Sequence, residues 1–362
     1  MKIFFADPQS ENLILKKKIT KLINNIIGQK SYILGKQNDL FEEKLKKYFN
    51  IKYALGVNSG TDALKIALKS LKIKKNDEVI IPTLTATATG SAVLEVGAKP
   101  VLIDVDGSGN FNPNLLKSLI NKKTKAIIVV HLHGNIANIK KIKSISKKIP
   151  IIEDCAQSFG SSLNRKKSGT FGKISCFSFY PTKNLAAIGD GGAIITNDKK
   201  VYDTMISLRQ YGWNKNRISM FAGYNSRLDE IQASILNLKM NYIDKNNLKR
   251  NKLAKNYIKE LKNLPIQFPI SLKQSFHSYH LFVIMTEKRD ELMKYLNKKK
   301  IFPSIHYKVP LHMMPTFKNS KKTKMNISEK MSKTMLSLPI YPELKKKQQL
   351  KIIKEIKNFF MN

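Results

Sequence analysis

From Tyr53 to about Thr196 the chain repeats one pattern: a short apolar run, a turn of small or polar residues, then a stretch of helical periodicity. "YALGV" (53–57), "DEVIIP" (77–82), "KPVLIDV" (99–105), "KAIIVVHLHG" (125–134) and "IPIIEDC" (149–155) read as strands. Between them "TDALKIALKSL" (61–71), "TATATGSAVLEVG", residues 112–121 and "NIKKIKSISKK" read as helices. Such alternation predicts an α/β fold, a mostly parallel sheet with helices on both faces. "KISCFSFY" and "GGAIITND" continue the sheet, and their short spacing fits antiparallel neighbours. A helical stretch then runs from near Leu228 to about 262, interrupted around "MNYIDKNN". Beyond it, "HLFVIM" (280–285), a helix over 288–299, "IFPSIHY" (301–307) and a helix over 343–360 make a compact α+β unit. The expected division is a large domain over 1–245, including an N-terminal helix at about 11–27, and a small domain over 246–362.

The formal net charge of +39 suggests nucleic acid as a partner. The kind of charge argues against it. Arginine is limited to Arg165, Arg209, Arg217, Arg227, Arg250 and Arg289, whereas a phosphate-reading surface favours arginine for its bidentate geometry. Lysine is abundant together with isoleucine and asparagine, all encoded by A/T-rich codons, and it is spread along the whole chain. Most lysines fall on the polar faces of amphipathic helices. No apolar run approaches the ~20 residues that span a bilayer. The start, "MKIFFADPQSENLILKKK", breaks the apolar core a signal peptide needs, so a cytoplasmic protein without membrane contact is expected. Cys155 and Cys176 are too few for a disulfide framework and lack metal-site spacing.

In an α/β sheet, ligands bind beyond the carboxyl ends of the strands. There the chain carries "NSGTDA", "PTLTATA", "HLHG" and "EDCAQS", joined by "SFYPTK" and a returning "GDGG". "NSGT" (58–61) leads into a helix whose N–H groups and dipole suit a phosphate, although an ordinary capped turn accounts for it taken alone. Asp154 ends a strongly apolar strand, where a carboxylate needs a partner or a cationic ligand; a helix cap or structural ion pair is the alternative. Lys183 lies among apolar and small residues, and a buried lysine can form a Schiff base with a carbonyl. Alone it would be one more surface lysine. Together, the strand-tip acid, the lysine and the anion cradle match what pyridoxal phosphate requires.

The chain resembles the sugar aminotransferases of the DegT/DnrJ/EryC1/StrS family. The resemblance rests on "YILG" (32–35), "GVNSGTDAL" (56–64), "IIEDCAQSFGS" (151–161), "SCFSFYPTKNLAAIGDGGAIITND" (175–198), "GYNSRLDEIQASIL" (223–236), "IHYKVPLH" (305–312) and "LSLPIYPEL" (336–344). It implies the aspartate aminotransferase-type architecture (fold type I), with a seven-stranded sheet between helices, and pyridoxal phosphate as cofactor. Carried over residue by residue, Lys183 matches the Schiff-base lysine and Asp154 the partner of the pyridine nitrogen. Gln157 matches the glutamine near the ring and its phenolic oxygen, and Gly60, Thr61 and Ser178 the phosphate cradle. Asn225 matches an asparagine that reaches the neighbouring subunit's site, which implies a homodimer with shared sites. One departure stands out: many relatives stack an aromatic on the cofactor ring where "TATAT" places Ala86, with Leu84 a conceivable replacement.

The resemblance further implies L-glutamate as donor and a nucleotide-linked keto-deoxyhexose as acceptor, for amino-sugar and surface-glycan (O-antigen) synthesis. The loop "NLAAIGDGG" is similar to loops of enzymes that aminate C-3 of dTDP-3-keto-6-deoxyhexoses. Amination at C-4 of a UDP-, GDP- or dTDP-4-keto sugar is the alternative, and a non-catalytic basic binding or regulatory protein is the alternative from another class. His306, Tyr307 and His312 match a region bordering the sugar nucleotide, or are structural residues of an interdomain loop. No carboxylate-flanked zinc pattern accompanies the histidines, and no metal is expected.

Overall fold

The computed structural model describes residues 2–361. Seven strands form the central sheet: β1 (Tyr53–Val57), β2 (Glu78–Pro82), β3 (Lys99–Ile103), β4 (Thr124–Val130), β5 (Ile151–Asp154), β6 (Ile174–Ser178) and β7 (Gly192–Thr196). Their spatial order is β1-β7-β6-β5-β4-β2-β3. Only β7 runs antiparallel to its neighbours, β1 and β6; every other pairing is parallel. The sheet therefore has both faces covered, and the strand sequences show how. Leu55, Val79, Ile81, Ile128, Ile152, Ile174 and Ile194 fill one core. The intervening residues Ala54, Phe177, Ala193 and Ile195 fill a second core, and Ile80, Ile127, Val129 and Ile151 a third. Alternate residues of a strand point to opposite faces, so both sets are apolar only when both faces are buried.

Helix α1 (Gly60–Ser70) follows β1 and helix α2 (Thr87–Glu95) follows β2. Both pack into the first core through residues such as Ala63, Ile66, Ala67, Ala92 and Val93. Isoleucine and valine side chains withdrawn from water contribute about 1.5–3 kcal/mol each at most, and alanine less, so a continuous core of this kind holds the strand tips firmly.

The C-terminal unit builds a separate core from helices Ile243–Leu261, Arg289–Lys298 and Lys346–Met361 and the antiparallel pair Phe282–Met285 and Met335–Leu338. The expected boundary at 245 falls inside the first of these helices, which gives Ile243 to the sheet side and Ala254, Tyr257 and Leu261 to the C-terminal core. The chain start belongs to that core too: Ile3–Phe4 pairs in parallel with Ile301–Phe302. The N-terminal helix is two helices, Pro8–Ile14 and Lys16–Ile27, the first capped by Asp7 with Pro8 opening it. The second packs instead against Ile235, through Leu15 and Ile19.

Two expected elements are shorter than their sequences suggest. The helix over 112–121 is a 3-10 turn, Pro113–Leu115, followed by one turn at Leu116–Leu119. The strand over 301–307 reduces to Ile301–Phe302, because Pro303 has no N–H to continue a ladder; pairing resumes only as a bridge between Ser304 and Ser337. Among the described residues, no helix is long and apolar enough to cross a membrane.

Candidate active site

At the carboxyl end of β1, Ser59 caps α1. Its hydroxyl accepts from Asp62 N at 3.1 Å and its carbonyl from Ala63 N at 3.0 Å. Of the four N–H groups a helix start leaves free, here Ser59 to Asp62, the cap takes that of Asp62, and those of Gly60 and Thr61 are available to an anion. Ser178 lies alongside: a Cβ built on Gly60 would fall 2.7 Å from the Ser178 Cβ. Gly192, where β7 starts, would place a Cβ 2.4 Å from the Ser59 carbonyl oxygen. Glycine is needed at both positions for the backbones to close into a cradle. The chain thus folds the three expected phosphate residues together, and the donor set suits a phosphate monoester.

At the tip of β5, Asp154 is buried. Its Oδ1 accepts from Ala156 N at 3.1 Å and its Oδ2 from the Thr89 hydroxyl at 2.9 Å. Burial raises its pKa above the ordinary carboxylate value, opposed by those two donors and by the charge of Lys183. Lys183 is half-buried in the turn after β6, its N–H donating to Tyr180 O at 2.8 Å. Desolvation lowers its pKa to about 8, against the attraction of Asp154. Two groups 29 positions apart in sequence are therefore electrostatically coupled in one crevice, and each departs from its ordinary value in the direction that burial dictates.

Gln157 is held at both ends of its amide. Its Oε1 accepts from His133 N at 2.6 Å, and its Nε2 donates to the Tyr307 hydroxyl at 2.9 Å. Tyr307 thereby keeps its own O–H free to donate, and burial near Asp154 raises its pKa. His306 contacts Ser337 Oγ through Nδ1 at 3.0 Å; burial and the Lys183 charge lower its pKa to about 4, so it is neutral at pH 7. His312, expected to touch substrate with these two, has both ring nitrogens occupied, by Thr83 Oγ1 at 2.7 Å and Glu329 Oε1 at 3.1 Å. It ties the end of β2 to the C-terminal unit and leaves no nitrogen for a ligand.

Ala86 is half-buried at the start of α2 and presents only a methyl group. Leu84 does not replace the missing aromatic: it is fully enclosed with Val105, Val130 and Leu281 and offers no face to a ring. Asn225 is exposed, in a loop whose next residue, Ser226, accepts from Asn58 N at 3.2 Å. Its own backbone bridges to Gln210 at the end of the helix Lys199–Arg209.

The sequence reading missed Thr89 and Glu153. Thr89 lies inside "TATAT", a segment read only for its lack of an aromatic. Glu153, fully buried, faces away from Asp154. Its oxygens accept from Phe171 N, Gly172 N, Gly169 N and Ser175 Oγ at 2.5–3.3 Å, and from His131 Nε2 at 2.9 Å. Since His131 Nδ1 accepts from Ala137 N at 3.2 Å, the ring proton is on Nε2. His131, Glu153 and Cys155 lie close enough to suggest a metal site, but these donors already take the carboxylate's lone pairs. A charged residue within an apolar strand was the available signal, because it must find buried donors.

An anion-suited helix start at one strand tip, a buried acid at another and a desolvated lysine that interacts with that acid suit pyridoxal phosphate on a mostly parallel α/β sheet, the fold type I arrangement. The DegT/DnrJ/EryC1/StrS aminotransferase family matches residues 13–357, and the chain belongs to that family. It is 37% identical over 358 residues to the dTDP-3-amino-3,6-dideoxy-alpha-D-galactopyranose transaminase of Aneurinibacillus thermoaerophilus, covering 98% of this chain and 99% of that one. It is 36% identical to a protein of Geobacillus stearothermophilus described as a pleiotropic regulatory protein, covering 96% and 95%. The structure superposes with a TM-score of 0.96 on DesV of S. venezuelae, solved in complex with a ketimine intermediate, at 33% identity and covering 100% and 99% of the two chains. The protein is a pyridoxal phosphate-dependent sugar aminotransferase.

Proposed function

We propose that the enzyme moves an amino group from L-glutamate to C-3 of a dTDP-linked 3-keto-6-deoxyhexose. What carries the catalytic part is the placement of Lys183 close enough to the buried Asp154 to interact with it, with burial lowering the lysine's pKa to about 8. The C-3 assignment rests on the "NLAAIGDGG" loop and on the Aneurinibacillus relative, whose name specifies a 3-amino sugar.

When bound, pyridoxal phosphate supplies the carbonyl carbon that takes up nitrogen and the ring that accepts electrons. Gly60 and Thr61 N–H and the Ser178 hydroxyl would hold its phosphate, the Asp154 carboxylate would pair with its ring nitrogen, and the Gln157 amide would serve its phenolic oxygen. Lys183 Nζ would be its attachment point. The same amine, with a substantial neutral fraction near pH 8, would carry the proton to and from the substrate carbon. Tyr307 O–H and the His306 ring line the acceptor side, while His312 holds their segment in place.

The exposed Asn225 is read as completing the phosphate site of a second copy. Exposed Ile218, Met220 and Phe221 nearby, at 44–63% exposure, give that copy an apolar surface to cover. The free, buried Cys155 and Cys176 suit a reducing cytoplasm. Incubation with glutamate and a panel of dTDP-, UDP- and GDP-linked 3-keto and 4-keto sugars, with products read by NMR, tests the assignment. Nitrogen at C-3 of a dTDP sugar is expected; turnover confined to 4-keto sugars would replace it with the C-4 reading. Turnover of none would place the acceptor outside these sugars.

A further inference from the structure

We infer that Thr89 and Thr85 are positioning residues, forming a one-way hydroxyl relay that orients the Asp154 carboxylate and keeps it ionised for a protonated ring nitrogen. The inference rests on the reading of Asp154 as the cofactor's acidic partner. Thr89 Oγ1 lies 2.9 Å from Asp154 Oδ2 and 3.0 Å from Thr85 Oγ1. An ionised carboxylate has no hydrogen to give, so the Thr89 hydroxyl donates to it. A hydroxyl has one hydrogen, so the other contact must run from Thr85 to Thr89. Both threonines are at most 1% exposed, which leaves no solvent to reorient either hydroxyl. Hydrogen bonds aligned head to tail polarise one another, and a donor to a charged acceptor is worth more than a neutral pair.

The backbone keeps this geometry rigid. Thr89 is in the first turn of α2, where a β-branched side chain has few rotamers. The next residue, Gly90, packs so closely on Phe317 that a Cβ would lie 2.6 Å from its ring. Ala156 N–H fixes Oδ1, so the plane of the carboxylate is set from two sides. The remaining groups around Asp154 are Lys183 from the loop after β6, His131 from the end of β4, Tyr307 from the C-terminal unit, and the thiols of Cys155 and Cys176. Lys183 favours the ionised form. Thr89 is the one side-chain hydrogen bond to the carboxylate among the described residues, against burial that favours the protonated form. The segment that lacks the aromatic thus supplies the relay, through threonines four apart across a helix start.

The test is titration of apoprotein with pyridoxal phosphate across pH, followed by fluorescence quenching. Thr89→Val keeps shape and removes the donor. It should weaken cofactor binding about tenfold, the scale of a hydrogen bond to a charged group. It should also move the acid limb of binding up by about one pH unit, because the carboxylate then holds its proton more readily. Thr89→Ser keeps the donor and should restore both, and Thr85→Val should shift the limb in the same direction by less. Wild-type affinity and an unmoved limb in Thr89→Val, with Asp154→Asn clearly weakened, would overturn the relay alone. Wild-type affinity in Asp154→Asn as well would remove the reading of Asp154 on which it rests. If Thr89→Val does not fold, Thr85→Val against Thr89→Ser decides: an unmoved limb in Thr85→Val overturns the relay.

Discussion

Glu153 and Asp154 are adjacent carboxylates at the end of one strand, and the protein treats them in opposite ways. Glu153 points to one face of the sheet and receives five donors; their hydrogen bonds outweigh burial and hold its pKa below the usual value. Asp154 points to the other face, receives two donors, and burial wins. The first is saturated and serves the fold. The second keeps lone pairs and a deficit of positive charge, which suits it to the proposed cationic ring nitrogen. The alternation of a strand converts neighbouring residues into a structural group and a functional one.

Removing Lys183 attacks the functional face most directly. Lys183→Ala should lower kcat by about 10⁴-fold or more, since both the covalent link and the proton carrier disappear, with the melting temperature little changed. Glu153→Gln attacks the other face. Its amide group turns N–H donors toward donors, which should cost about 3 kcal/mol of stability and several degrees in a thermal melt. Unchanged stability there would dissolve the contrast between the two carboxylates.

The titration of Lys183 sharpens the contrast. Burial lowers its pKa from 10.5 to about 8, so its neutral form is lost only as pH falls through about 8. Competitive acetylation of the apoprotein, read peptide by peptide, should show Lys183 half-reactive near pH 8, with surface lysines following at higher pH. The smallest effect concerns Asn225. Mixing Lys183→Ala with Asn225→Ala subunits should recover a minor fraction of activity, since one site of each mixed dimer is intact. No recovery under verified subunit exchange would return Asn225 to its own chain.

The sheet was legible because strands buried on both faces are apolar at nearly every position, as in "YALGV" and "AIIVV". Asp154 stood out at a strand end and Lys183 in the turn after a strand, each in an otherwise apolar setting, and the resemblance matched both. The Thr89–Asp154 bond was not. It spans 65 positions, and its sequence signal, threonine among alanines, is ordinary for a helix start. The tie from His312 to Thr83 spans 229 positions and fits the structural one of the two readings of that loop. Folding creates these pairings, and nothing local in either partner encodes the other. "IFPSIHY" shows the converse, an apolar run that Pro303 stops from pairing as a strand.

The central claim is that Lys183 carries the cofactor. Purified protein should be yellow after incubation with pyridoxal phosphate, and borohydride should bleach it and leave one pyridoxyl group on the peptide containing Lys183. A colourless protein that cannot be reconstituted, or a label confined to other lysines, would contradict the account.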